Sequence, residues 1–156
     1  MAKRSDDGIK VIATNRKAYH DFHIEDTLEA GIVLTGSEVK SVAAGKVSLA
    51  EAYCQVENGE MWVRNMHIAP YESAGYAQHE PRRKRKLLLH KWEIERWRAK
   101  SEQKGYTIIP LRLYFRRGKA KLEIGLVRGK RQYDKREAIK RRDIEREMRR
   151  ELHGRF

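Results

Sequence analysis

Apolar and polar side chains alternate along much of the chain, and this period of two predicts short β-strands. Residues 19–25 place Phe22 and Ile24 on one face and charged or histidine side chains on the other, as in a half-buried strand. Residues 9–14 form a short apolar stretch, and residues 32–34 predict a short strand in the core. The alternation therefore favours a protein built mainly from β-strands.

Two hairpins give the clearest local signals. Asn58-Gly59 separates two β-rich runs, residues 52–56 and 61–68. Asn-Gly is the preferred two-residue hairpin turn, because both residues tolerate positive φ. A second hairpin is predicted over residues 106–128, with its turn at Arg117-Gly118.

Helices are expected at two places. Ser37 is positioned to cap a small helix that Gly45 ends with positive φ. A longer helix is predicted over residues 88–104. Trp92 and Trp97 are five positions apart in that helix, so we expect one of them near the surface. Short strands, two hairpins and few helices together favour a mostly β fold: a small antiparallel barrel, like the oligonucleotide-binding fold, with flanking helices.

The same pattern divides the chain into three parts. Residues 1–8 are polar and small, and we expect them to be flexible. Residues 9–128 carry the strands and form the predicted barrel domain. Residues 129–156 are a basic tail whose apolar side chains, four positions apart, make one thin helical stripe. Such a stripe is too narrow to pack alone, so we expect the tail to be disordered in isolation and helical on a partner.

The charge of the chain indicates its ligand. The 156 residues include 35 Lys and Arg against 22 Asp and Glu, for a formal net charge of +13 and an isoelectric point near 10.0. This balance attracts phosphate polyanions strongly, which predicts that residues 9–128 bind RNA. No apolar run approaches the roughly 20 residues of a membrane-spanning helix, and no apolar targeting segment follows the N-terminal cations. We therefore expect a cytoplasmic protein with no membrane partner.

Residues 82–86 are five consecutive cations, here called the cationic run. Like charges side by side repel one another, so the run predicts contact with phosphate anions. A nuclear-localisation signal has the same composition and is the alternative. The run consists of Arg82, Arg83, Lys84, Arg85 and Lys86.

Several aromatic side chains are candidates for stacking on bases, namely Tyr19, Phe22, Tyr71, Tyr76 and Tyr133.

Catalytic and metal-binding patterns are weak in this chain. Cys54 is the single cysteine, and its β-rich neighbours favour a small core residue over a nucleophile. His20 and His23 are three positions apart and fall on opposite faces of the predicted strand, so they do not predict a metal site. Nearby carboxylates leave one alternative open, a Mg²⁺-dependent nuclease, built from Asp21, Glu25, Asp26 and Glu29. Without a phosphate-binding glycine loop or a nucleophile elbow, we expect no enzyme, no cofactor and no metal.

Five segments of the chain carry a more specific signal. They are NRKAYH at residues 15–20, AGIVLTGSEVKS at 30–41, RKLLLH at 85–90, GYTIIPL at 105–111 and GKRQYDKR at 129–136. In this order, over about residues 10–140, they resemble the small protein B family, the SsrA-binding proteins of bacterial trans-translation. One departure is the Val42-Ala43 pair, where relatives commonly have Leu-Arg.

The resemblance implies a function without catalysis. Proteins of this family have an oligonucleotide-binding-type barrel and bind the tRNA-like domain of transfer-messenger RNA. With elongation factor Tu and GTP, they help deliver that RNA to stalled ribosomes, where the nascent chain is tagged and the ribosome rescued. The basic tail is then expected to enter the decoding centre and the empty mRNA channel, and to be helical there. We expect a monomer with transfer-messenger RNA and the ribosome as partners; a constitutive ribosomal structural protein is the alternative.

Site residues follow from the resemblance, position by position. Glu29 can accept a hydrogen bond from a base edge, Leu88 can pack against a base or sugar, and Lys121 can meet a phosphate. The predicted RNA-binding set also includes the cationic run and Asn15, Arg16, Lys17, His20 and Lys40. The tail motif implied to contact the ribosome comprises Gly129, Lys130, Tyr133, Asp134, Lys135 and Arg136.

Overall fold

A computed structural model describes residues 8–71, 75 and 78–130. The strands in this part of the chain are β1 (Ile9–Thr14), β2 (Phe22–Ile32), β3 (Val47–Ser48), β4 (Tyr53–Glu57), β5 (Glu60–Arg64), β6 (His67–Ile68), β7 (Arg85–Leu88), β8 (Tyr106–Arg116) and β9 (Lys119–Gly129). The helices are α1 (Arg16–Asp21), α2 (Gly36–Ala43) and α3 (Lys91–Ser101). None of these helices is long and apolar enough to cross a membrane.

Six strands close into an antiparallel barrel. Their order is β4-β5-β7-β2-β9-β8, and β8 returns to β4 where Ile108 pairs with Cys54. Strand β1 pairs with the distal part of β8, while β3 and β6 form a separate two-stranded sheet. Closure satisfies the backbone groups of strands that would otherwise be edges. The predicted mostly β fold, an antiparallel barrel with flanking helices, is confirmed.

The barrel interior is filled by alternate side chains of the long strands. Met61, Leu113 and Ile124 are among its fully buried residues. Gly125 allows the close approach of a neighbour, because a Cβ there would lie 2.8 Å from Leu111 Cδ1. Leu111 belongs to a smaller cluster with Ala18, which seats α1 against the outside of β8 and β9.

Both hairpin predictions are confirmed by the turn geometry. Asn58 and Gly59 have φ of 51° and 76°, and they join β4 to β5. Arg117 and Gly118 have φ of 51° and 76°, and they join β8 to β9. These turns depend on local residues alone, which explains why the sequence pattern located them.

The strand predicted over residues 19–25 is wrong in its first part. Residues 19–21 belong to α1, and β2 begins only at Phe22. The reason is the cap: Asn15 Oδ1 accepts a hydrogen bond from the Ala18 amide at 3.1 Å and nucleates a helical turn. The separate strand predicted at residues 32–34 is also wrong, because β2 runs without a break from Phe22 to Ile32.

The α2 helix is confirmed, but its N-cap lies two residues earlier than predicted. Thr35, not Ser37, is the N-cap, and it forms a capping box with Glu38. The Thr35 amide donates to Glu38 Oε1 at 2.8 Å, and Thr35 Oγ1 accepts from the Glu38 amide at 3.4 Å. Gly45 follows the helix with φ of 76°, as predicted.

The helix predicted over residues 88–104 is shorter than expected. Leu88 ends strand β7, and α3 begins at Lys91 after the extended residue His90, which has φ of −67° and ψ of 145°. The two tryptophans of α3 separate as expected, since Trp92 is 62% exposed and Trp97 is fully buried. The predicted tail begins inside the fold, because Gly129 is the last residue of β9.

Candidate nucleic-acid interface

Three residues predicted to bind RNA, Glu29, Leu88 and Lys121, lie around Gly31 on the barrel surface. Gly31 of β2 pairs with Leu88 of β7 on one side and with Lys121 of β9 on the other. Residues directly opposite in an antiparallel ladder project to the same face, and so does Glu29, two positions before Gly31. We call Leu88, Gly31 and Lys121 the Gly31 row. Together with Glu29 and His90, the row lines a cavity of about 320 Å³.

Gly31 sets the position of the leucine beside it. A Cβ on Gly31 would lie 3.3 Å from Leu88 Cβ, which is tighter than ordinary contact. The leucine side chain therefore lies across the glycine backbone and remains 54% exposed. A second cavity of about 300 Å³ shares the Gly31 row and extends toward Val39 and Phe115. The row is thus an accessible apolar and cationic ridge between two cavities.

Glu29 is oriented by two donors from β8. The Tyr114 hydroxyl and Arg116 Nε both donate to Glu29 Oε2, the second at 3.0 Å. Because both donors contact the same oxygen, the carboxylate is held against β8. Glu29 is nevertheless exposed and lines the cavity. Such a fixed acceptor can receive an N–H from a base edge.

Tyr114 lies on the outer face of the barrel although it is almost completely buried. It is 2% exposed although it belongs to neither core cluster. Its ring is covered from the outside by the guanidinium groups of Arg112 and Arg116, which lie 5.3 and 5.8 Å from the ring centroid. Burial, followed by the hydrogen bond to Glu29, raises the pKa of Tyr114 to about 12. The neutral phenol is therefore a permanent donor to Glu29. Sequence reasoning did not find this cluster, although Arg112, Tyr114 and Arg116 alternate at the strand period.

Glu123 connects the same face to helix α1. Arg112 Nε donates to Glu123 Oε1 at 3.1 Å, and the Tyr19 hydroxyl lies 3.5 Å from the same oxygen. Burial, with the nearby charge of Glu123, raises the pKa of Tyr19, which therefore stays neutral. Arg16 and Lys17 are exposed on the same helix: Arg16 lies three positions before Tyr19, whereas Lys17 lines a separate cavity with Ala50 and Glu51.

The cations of this face differ in how far they are already paired. Arg112 and Arg116 are held by carboxylates. Among the residues that the structure describes, no carboxylate lies within 4.0 Å of the Lys121 ammonium. The His20 side chain is 88% exposed, and its Nδ1 lies 2.9 Å from Oδ1 of the neighbouring Asp21. Lys121 thus offers its full charge to a phosphate.

The cationic run is organised differently from the prediction. Acidic side chains distant in sequence pair with most of its members, so the mutual repulsion that predicted phosphate contact is already offset. The pairs are Arg83 and Arg85 with Glu38, Lys84 with Glu57 and Lys86 with Glu60, while Arg82 donates to Asn65 Oδ1 at 2.9 Å.

Two predicted RNA-binding residues serve the fold instead. Arg85 has no exposed surface, and its guanidinium donates to Glu38 and to the carbonyl of Met66 at 2.7 Å. Asn15 is 6% exposed, and its Nδ2 donates to the carbonyl of Pro110 at 3.0 Å in addition to capping α1. Because both side chains are buried, we expect neither of them to contact an RNA on the surface. Lys40 is exposed on α2, next to Val39 of the second cavity.

The carboxylates behind the nuclease alternative do not converge. Glu25 pairs with Arg128, and Asp26 lies 3.7 Å from Arg96. Glu29 faces Tyr114 and Arg116, as above. Within residues 8–71, 75 and 78–130, no three His, Cys, Asp or Glu side chains are grouped to hold a metal ion.

The remaining candidates divide between core and surface. Cys54 is buried, as predicted, and burial raises the pKa of its thiol. Phe22 packs against the smaller core cluster, whereas Tyr19 is 42% exposed beside Glu123. Of the predicted tail motif, Lys130 Nζ donates to the carbonyl of Tyr19 at 3.2 Å. Outside the described residues lie Tyr76, Tyr133, Asp134, Lys135 and Arg136.

Comparisons with known proteins give consistent matches along the chain. A family model described as SmpB protein matches residues 12–154. The SsrA-binding protein of Caldicellulosiruptor saccharolyticus is 55% identical over 150 residues, covering 96% of this chain and 95% of the relative. That of Persephonella marina is 53% identical over 149 residues, covering 96% and 98%. A solved structure reported as "tmRNA-SmpB: a journey to the center of the bacterial ribosome" aligns with a TM-score of 0.66 and 53% identity, covering 76% of this chain and 83% of that one.

Proposed function

The chain belongs to the SmpB family, and from that premise we propose that it binds transfer-messenger RNA with the surface around the Gly31 row. The observation that carries the proposal is the convergence of Glu29, Leu88 and Lys121, which are far apart in sequence, on one cavity. Its relatives are named for binding SsrA, the transfer-messenger RNA. The function is ribosome rescue by trans-translation.

The surface offers three kinds of contact that a folded RNA requires. Lys121 and the exposed cations of α1, Arg16 and Lys17, neutralise phosphates. Leu88 packs against an unstacked base or a sugar, and Glu29 accepts a hydrogen bond from a base edge. Sequence-specific RNA recognition targets loops whose bases are splayed out, and we propose that the tRNA-like domain presents such a loop to this surface.

Other predicted cations lie at the margin of this surface. Arg83, Lys84 and Lys86 must exchange a carboxylate for a phosphate, and Arg82 must leave the Asn65 amide, so we propose that each adds little affinity. Among the residues that the structure describes, no carboxylate pairs with Lys40, and Asp21 is the one beside His20. We propose that these residues steer the RNA toward the Gly31 row rather than bind it tightly.

The basic tail has a separate task. We propose that residues 129–136 contact the decoding centre and that the tail enters the empty mRNA channel as a helix. The chain acts as a monomer in the cytoplasm, joins elongation factor Tu and GTP in the delivery complex, and catalyses no reaction and needs no cofactor of its own. Truncation after Lys130 keeps all of β9; we expect it to preserve RNA binding and abolish tagging. A truncated protein that still supports tagging would refute this division of labour.

Recovery of the RNA bound in living cells tests the proposed ligand. The tagged chain is purified from its own cells, and the bound RNA is sequenced. We expect transfer-messenger RNA to be enriched over elongator tRNA, and the enrichment to fall in Lys121→Ala. A constitutive ribosomal protein would instead recover ribosomal RNA, and it would stay bound to active ribosomes through a high-salt wash.

A further inference from the structure

Trp92 is exposed without contributing to the packing of its helix. It is 62% exposed, and Leu88 follows at 54%, the highest values among large apolar side chains of the described residues. Helix α3 packs on the barrel through Ile94 and Trp97. Trp92 is two positions from Ile94, about 200° around the helix, and so points away from the barrel. An exposed tryptophan gives the free protein little stability, which makes a bound partner the better explanation.

The exposed indole adjoins the cavity of the Gly31 row. His90 lines that cavity together with Glu29 and Lys121. The rings of His90 and Trp92 are nearly parallel, at 9°, with centroids 6.1 Å apart. The Glu93 carboxylate accepts from the His90 amide at 3.0 Å and fixes the start of α3. Leu88, His90 and Trp92 therefore form a continuous and rigid edge from the sheet onto the helix.

The charges around the indole favour a nucleic-acid partner. The Arg96 guanidinium lies 5.5 Å from the Trp92 ring centroid. Lys91 is exposed at the preceding position, and Lys121 lies across the cavity. Cations interleaved with an accessible aromatic ring match a base with its phosphates, because the base stacks while the phosphates are neutralised.

We infer that Trp92 is a base-stacking residue, which extends the RNA surface from the Gly31 row onto the first turn of α3. The inference rests on the proposed function and adds a contact to it: an unpaired base of the bound RNA stacks on the exposed part of the indole, since Trp92 is 62% exposed. His90 and Arg96 hold the ring in place, and Arg96 in turn lies 3.7 Å from Asp26.

Binding of full-length transfer-messenger RNA to Trp92 variants tests the inference. We expect Trp92→Ala to weaken binding by about 10- to 100-fold, with Trp92→Phe retaining most of the affinity. The salt dependence of binding should stay unchanged in Trp92→Ala but fall by about one unit in Lys121→Ala. Tyr53→Ala is the matched control, since Tyr53 is a 43% exposed aromatic on β4 that does not line this cavity. Thermal unfolding should be the same for wild type and both alanine variants of the aromatics.

Tryptophan fluorescence supplies a second readout. Of the three tryptophans, Trp97 is buried and Trp62 lies under Lys84, so RNA should quench mainly Trp92. Quenching should disappear in Trp92→Phe and persist in Trp62→Phe. If wild type prefers transfer-messenger RNA but Trp92→Ala binds it equally well, the inference is wrong and the proposed function stands. If wild type shows no preference, the proposed function itself fails. An effect of Trp92→Ala that appears only when elongation factor is added would assign the ring to a protein partner and overturn the inference.

Discussion

Glu38 and Arg85 form an ion pair in which neither side chain has exposed surface, with Arg85 Nε donating to Glu38 Oε2. The pair joins α2 to the first residue of β7, and Arg83 adds a second guanidinium to the same carboxylate. Three residues later, β7 presents Leu88 to the Gly31 row. The buried pair therefore anchors the strand that carries part of the candidate RNA surface.

Removal of the Glu38 charge should destabilise the protein strongly. In Glu38→Gln the buried Arg85 guanidinium loses its counter-charge, and breaking such a pair costs roughly 3–5 kcal/mol. Chemical denaturation measures this loss. Glu57→Gln is the control, because Glu57 is a partly exposed partner of Lys84 and Arg64, and ion pairs in contact with solvent contribute much less than a buried pair. Equal effects of the two substitutions would contradict the structural role given to Glu38.

The same pair makes stability depend on acidity. Burial acts to raise the pKa of Glu38, but hydrogen bonds from Arg83, the Thr35 amide and Arg85 outweigh it and leave the pKa below its ordinary value. The stabilisation is therefore present above the unfolded-state pKa of about 4.3 and is lost as the pH falls through the lower folded-state pKa. The free energy of unfolding should fall over this acid range in wild type. The fall should be smaller in Glu38→Gln, and an identical profile would count against the depressed pKa.

Lys121 and Lys84 should differ in their contribution to RNA binding. Lys84 already pairs with Glu57 at 2.8 Å and covers the Trp62 ring, whereas Lys121 faces the cavity with Glu29 and Leu88. Lys121→Ala should weaken binding at every salt concentration and lower the salt slope by about one unit. Lys84→Ala should change the slope less. A larger effect at Lys84 would move the RNA surface to the cationic run.

Gly31→Ala should impair RNA binding more than folding. The new methyl group would lie 3.3 Å from Leu88 Cβ and 3.4 Å from its Cδ1, so strand β7 must move by a few tenths of an ångström and carry the exposed leucine away from its place beside the cavity. Because Leu88 is 54% exposed, its displacement sacrifices little core packing. Affinity for transfer-messenger RNA and thermal unfolding, measured together, separate the two effects. A loss of stability with unchanged affinity would show that the glycine serves the sheet alone.

Tyr114 should ionise unusually late. Burial and the hydrogen bond to Glu29 raise its pKa to about 12, so the stabilisation it provides is complete below the unfolded-state value of about 10. That stabilisation is lost as the pH rises through about 12. Tyr114→Phe should remove part of the late phenolate absorbance, while the contribution of Tyr19, whose pKa is also raised, should remain. If the substitution leaves the titration curve unchanged, the buried hydrogen bond is absent in solution.

The sequence predicted local features well and long-range pairing poorly. The turns at Asn58-Gly59 and Arg117-Gly118 depend on adjacent residues and were located correctly. The counter-charges of the cationic run could not be predicted, because Glu38 is 47 positions from Arg85 and a linear pattern does not connect the two. The start of β2 was misplaced because the cap at Asn15 overrides the strand alternation after it.

The candidate site shows the same limit. Glu29, Leu88 and Lys121 came from a family resemblance, since nothing in their local patterns links three strands. The Tyr114 hydrogen bond to Glu29 spans 85 positions and required the barrel register to be seen. Trp92 was expected near the surface as one of two tryptophans, but only the packing of Trp97 decides which one.

A competition titration tests the central claim most directly. The full chain is titrated with transfer-messenger RNA and with an elongator tRNA of the same cells, at one moderate salt concentration, alongside Lys121→Ala. We expect clearly tighter binding of transfer-messenger RNA, and a loss of that binding in the variant. Equal affinity for the two RNAs would contradict specific recognition and leave only the attraction of a basic protein for any polyanion.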